Sequence, residues 1–228
     1  RAQWRRMKNT PHSVAPDLTA NRRIPLWLKW AYSVFITVLV PVYWHHYGWT
    51  NFLYFCDVAL FVTLIGLWKE SRFWLSMAAV GILLPQFLWC ADFGVELAGG
   101  QMTGMTSYMF DSGKPLYLRA LSLFHGWLPW LLLFGVAKLG YDRRALGAWS
   151  VLAVVLCGIG FFLLPPAGAE LADPNLPRNV NYVFGMDDAN PQTRFAPLTY
   201  LGLWAGGLIV LVYLPTHFIL SRWFSRAA

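Results

Sequence analysis

Cys56, Gln86 and His125 are polar groups set in three different apolar stretches of the sequence. A polar side chain inside a membrane span is costly, so each one calls for a role. A thiol near an imidazole suits nucleophilic chemistry, in which the ring takes the thiol proton and the thiolate attacks an ester carbonyl. The Gln86 amide is suited to donate to a developing oxyanion. At 1.5 Å per residue, Cys56 lies about 6 Å below the boundary near Phe52, His125 about 8 Å deep, and Gln86 within about one turn of the same side. Three helices thus carry polar groups to one depth, close to where the ester bonds of a phospholipid lie. Asp57 adjoins Cys56 but points about 100° away on a helix. It needs a partner at that depth, and His45, His46, Arg119 or a bound ligand can serve.

Each of these residues also has a plainer reading. A buried Cys behaves as a small hydrophobe, and a histidine within a span can simply bond a neighbouring helix. Gln86 follows Pro85 and can patch backbone groups freed by a kink. His45, His46, Asp57 and His125 are acceptable metal ligands, but no spacing among them singles out a metal, and no metal or cofactor is expected. His217 lies away from the cluster and His12 lies in the N-terminal arm.

The elements that must position these groups follow from composition and hydropathy. The chain is 57% hydrophobic and 13% charged, against roughly 25% charged residues in a soluble domain. Apolar runs at 24–44, 52–68, 73–89, 120–139, 145–164 and 198–220 are each about long enough to cross a 30 Å hydrocarbon core. The expected fold is an all-α, polytopic membrane bundle of about six transmembrane helices. A basic arm at 1–23, carrying Pro11 and Pro16, precedes the transmembrane domain at 24–221, and a basic tail follows at 222–228. Long polar connections are expected at 92–118 and 167–196. The first apolar run is too long for a secretory h-region and lacks a small-residue cleavage site, so no cleavable leader is expected.

Charge sets the orientation. With the N-terminus inside, only Lys114, Arg119, Arg178 and Arg194 of the 18 basic residues fall on the outer side. By the positive-inside rule both termini are expected to be cytoplasmic. The net charge of +7 is then a topology signal, and nucleic-acid binding is not expected. Asp92, Glu96, Asp111, Glu170, Asp173, Asp187 and Asp188 all fall on the outer side, with both long connections. The functional cap is therefore expected there. Cys56, Cys90 and Cys157 form no C-x-x-C pair, which gives no support to a zinc or redox motif.

Four short motifs, in order, resemble the bacterial YwaF-type integral membrane proteins. Phe55-Cys56-Asp57-Val58-Ala59-Leu60 is similar to their Leu-Cys-Asp-Leu-Ala signature. Gln86 followed by Asp92 resembles their Gln and Thr-Pro-Asp stretch, with Cys90-Ala91 standing where that family has Thr-Pro. Ser122-Leu123-Phe124-His125-Gly126 resembles a Phe-x-x-x-His segment, and Asn179-Val180-Asn181-Tyr182-Val183-Phe184 an Asn-Tyr-Met-Phe element. A eukaryotic relative is understood as a transmembrane acyltransferase that moves fatty acyl chains between phospholipids, and the wider resemblance extends to androgen-induced membrane hydrolases, which use Thr and His. The resemblance implies Cys56 as nucleophile and His125 as base. Gln86, Asp57, Asp92, Asn181 and Tyr182 are the candidate substrate-binding residues, and a membrane phospholipid or acyl chain in the outer leaflet is the expected ligand. A bacterial inner membrane is the expected location. The alternative is a non-enzymatic accessory subunit packed against partner membrane proteins. A transporter is disfavoured, because no inverted repeat or matched pair of broken helices is present.

Overall fold

The structure, a computed structural model, describes residues 23–224, and every regular element within them is helical. Nearly all of the expected basic arm, and the last four residues of the tail, lie outside the described residues. The helices are α1 (Leu26–Tyr47), α2 (Phe55–Trp68), α3 (Arg72–Leu97), α4 (Leu116–Ser122), α5 (Phe124–Leu139), α6 (Ala145–Leu163), α7 (Pro197–Gly207) and α8 (Leu214–Phe224). A π-helical turn at Leu208–Tyr213 makes α7 and α8 one continuous rod. Pro215 stands two residues past that turn, and as a proline it has no amide to donate to the helix.

Five stretches are long and apolar enough to cross a membrane: α1, α3, α4 with α5, α6, and α7 with α8. The chain is thus a multi-pass membrane protein. The sixth helix, α2, has 14 residues and covers only about 21 Å of a 30 Å core. α3 is the centre of the bundle. Buried residues make up 61% of its span, against 17% for the last one. Close approach is built from small residues, as membrane helices require. A β-carbon on Gly81 of α3 would overlap the Trp149 indole of α6, and Trp149 is itself fully buried.

Three boundaries differ from those expected. α3 does not stop near residue 89 but runs to Leu97, so the first long connection begins at 98 rather than 92. Asp92 and Glu96 read as loop residues, yet both turn onto the loop that folds back over them and accept its hydrogen bonds. Their polarity therefore does not break the helix. The fourth span is two helices with a break at Leu123. The tail is also shorter than expected, because α8 carries Arg222 on to Phe224.

The bundle has two unlike ends. At one, Lys29 of α1 pairs with Glu70 in the α2–α3 turn, while Arg72 and Arg144 reach Asp142 in the α5–α6 turn. The Tyr141 amide donates to the Phe224 carbonyl at the end of α8 (3.0 Å). Both described ends of the chain therefore meet at this basic face. The opposite face carries the long connections.

Candidate functional site at the loop face

The shortness of α2 sets the site. Its first turn starts below the level reached by the neighbouring helices, and its amides need partners there. Asn181, in the second long connection, reaches in and supplies one. The Phe55 amide donates to Asn181 Oδ1 (2.9 Å), and Asn181 Nδ2 donates to the Leu53 carbonyl (2.9 Å). Asn181 stands at φ 61° and Asn179 at φ 51°, a left-handed conformation that Asn tolerates better than other side-chain-bearing residues. The segment is wedged in place. Val180 and Val183 are fully buried, the Trp204 indole donates to the Asn181 carbonyl (2.8 Å), and Phe184 stacks on Phe161. Gly160 of α6 leaves room for the Val180 carbonyl.

Beneath this plug lie Cys56 and Asp57. The Cys56 thiol donates to Asp57 Oδ2 (3.6 Å), and Asn51 Nδ2 donates to the same oxygen (3.4 Å). Asp57 Oδ1 is buried with no hydrogen-bond partner, and the whole residue is 3% exposed. Two expectations are corrected here. Although successive side chains diverge by about 100°, the Cys56 sulfur does meet its neighbour's carboxylate. And Asp57 takes Asn51 and Cys56 as partners rather than His45, His46 or Arg119; His46 instead bonds Tyr117 (2.7 Å).

His125 sits in the first turn of α5 and owes its orientation to the break before it. Gly126 donates to Leu123 rather than Ser122, which leaves the Ser122 carbonyl free, and His125 Nδ1 lies 2.8 Å from it. A carbonyl only accepts, so Nδ1 carries the proton and Nε2 keeps a lone pair. The ring is held between Phe124 and Trp89 (4.0 and 5.1 Å between centroids), and the stack continues through Phe93 to Phe110.

Tyr43 of α1 links the two halves. Ser122 Oγ donates to the Leu118 carbonyl, so the Tyr43 hydroxyl is the donor in its 2.8 Å bond to Ser122 Oγ. Tyr43 is also within electrostatic reach of Asp57. Gln86 joins them from α3. It is buried, its Oε1 lacks a partner, and it stands at the height of Asp57. Measured from the Gly66–Leu75 contact that closes the α2–α3 hairpin, Asp57 is about 14 Å and Gln86 about 17 Å along their helices.

The other candidates have structural partners. Asp92 accepts from the amides of Thr103, Gly104 and Thr106, pinning the first long connection to α3. Tyr182 uses its carbonyl to receive Tyr200 (3.3 Å), while burial pushes its phenol up to about 12. No hydrogen bond joins Cys56 to His125 among the described residues; the thiol faces Asp57 and the imidazole faces Ser122. Nor is any group of three or more His, Cys, Asp and Glu side chains there arranged to hold a metal ion. Sequence reading missed Tyr43, Asn51 and Ser122. A polar residue at the last turn before an apolar run, as Asn51 is, was the available signal for one of them.

No family model matches this chain, and no curated protein or solved structure is detectably similar to it.

Proposed function

We propose that this multi-pass protein handles the ester-bearing part of a phospholipid at the loop face, with Cys56 as an acyl-accepting nucleophile. The observation that supports this best is the half-buried Cys56 thiol set on the buried Asp57 carboxylate, whose second oxygen is unpartnered. A buried polar atom left without a partner is costly, and a hydroxyl-bearing ligand would satisfy it. In the reaction, the thiol proton passes to a base, the sulfur–acyl bond forms, and the glycerol oxygen leaves with that proton. A lysophospholipid hydroxyl, bonded to Asp57 Oδ1, then takes the acyl group and restores the thiol. The resemblance of the ordered motifs to those of the YwaF-type proteins favours His125 as the base, and the lone pair on its Nε2 suits the role. The thiol's own contact favours Asp57. The basic face would be cytoplasmic, in a bacterial inner membrane.

Intact-mass analysis after incubation with phospholipid tests this. A hydroxylamine-labile acyl adduct is expected on the wild type and absent from Cys56→Ala. Loss of the adduct in His125→Ala assigns the base to His125, and its loss in Asp57→Asn alone assigns it to Asp57. No adduct on folded wild-type protein overturns the reading.

The second reading is a non-enzymatic subunit of a larger membrane assembly. It is favoured by the separate hydrogen bonds of Cys56 and His125 and by the firm side-chain anchoring of both long connections.

A further inference from the structure

A second feature lies at the opposite end of the bundle and is independent of the Cys56 chemistry. A lipid-facing groove of about 520 Å³ runs between α3, α5 and α8, walled by Leu84, Phe87, Trp130, Phe134, Ile219 and Trp223. The one hydroxyl in its lining belongs to Thr216, and that group already donates to the Val212 carbonyl (2.7 Å). Apart from the indole N–H groups of Trp130 and Trp223, the rest of the lining is apolar. From Thr216 to Phe224 it extends about 12 Å along α8, close to the roughly 15 Å depth of one leaflet's hydrocarbon. It opens at the basic face, where α8 ends.

Charge decides what fits there. Lys138 holds its ammonium over the Phe134 ring (6.0 Å) at the groove mouth. Arg222 follows Ile219 by three residues on α8, and Arg143 lies in the adjoining α5–α6 turn; both are exposed. The acid of that turn, Asp142, is engaged by Arg144 and Arg72 and does not neutralise Arg143 or Arg222. An apolar slot one leaflet deep, with cations at its rim, is complementary to an anionic phospholipid, its acyl chain in the slot and its phosphate at the arginines.

We propose that this groove is a binding site for an anionic phospholipid of the leaflet on the basic side. The test is native mass spectrometry of the full chain in mild detergent, titrated with dioleoyl phosphatidylglycerol or dioleoyl phosphatidylcholine. The wild type is expected to retain the glycerol lipid preferentially. Removing the two arginine charges of the rim in Arg143→Gln/Arg222→Gln should weaken that retention roughly 30-fold, about fivefold per cation. Leu84→Trp, which fills the slot from an already exposed position, should displace both lipids and leave helicity unchanged. Equal retention of the two lipids by the wild type overturns the proposal. So does undiminished retention of the glycerol lipid in the double variant. A disulfide-linked dimer formed through Ile219→Cys would show that a second copy covers the groove instead, and overturn it too.

Discussion

Two buried aspartates stand at opposite ends of the bundle and are treated in opposite ways. Asp142, at the basic face, receives Arg144 through both carboxylate oxygens (3.1 and 2.8 Å), with Arg72 a further 3.7 Å away. Asp57, at the loop face, is equally buried yet has only a thiol and an amide, both on one oxygen. The three salt bridges among the described residues all lie at the basic face. A buried carboxylate matched by cations is an element of construction. One left half-satisfied destabilises the fold, and such groups persist where function requires them. The difference is a reason, independent of any motif, to propose the loop face as the working end of the molecule.

The comparison can be broken most forcefully at Asn181. Asn181→Ala removes the cap on α2 and the bond to Leu53, and places a β-branched-free but side-chain-bearing residue at φ 61°. A loss of about 2–4 kcal/mol is expected. Asn181→Gly relieves the backbone term and should recover about 1–2 kcal/mol of it. Equal losses in the two variants, measured by thermal unfolding in detergent, would mean that the left-handed backbone carries no cost here. Replacement of Asp57 is smaller and opposite in sign. Asp57→Asn should leave the fold unharmed or stabilise it by up to about 2 kcal/mol. A substantial destabilisation would place Asp57 in the same structural class as Asp142.

The smallest effect concerns pH. The Arg144 hydrogen bonds hold the Asp142 carboxyl below its usual range. A carboxylate with a depressed folded-state pKa adds stability above its unfolded value, near 3.9, and that contribution is lost as pH falls through the folded one. Stability of the wild type should therefore drop more steeply below about pH 4 than that of Asp142→Asn. Parallel curves would sink the assignment.

Much of the fold was legible because apolar run length is a direct measure of membrane crossing. The run at 52–68 gave α2, and the turn at Lys69–Ser71 gave the α2–α3 hairpin that levels Asp57 with Gln86. Polarity alone misled at Asp92, where a charged residue stays helical because a loop fourteen residues on returns to bond it. The break at Leu123 was hidden for the opposite reason, since nothing in a continuous apolar run marks a shifted hydrogen bond. At the site, depth could be read from spacing, whereas facing could not. Cys56 and His125 share a level, and only the azimuths of α2 and α5 determine that each meets a different partner.

The cap on α2 also sets a timetable. Its donor and acceptor are 126 residues apart in sequence, so at ordinary rates of synthesis Asn181 emerges about 6–25 s after Phe55. During that interval α2 is a short, aspartate-bearing segment with an open N-terminus, poorly suited to hold a place in lipid by itself. Its final seating is therefore a late event of biogenesis, coupled to arrival of the last loop. A nascent chain halted before residue 181 would be the form most exposed to membrane quality control.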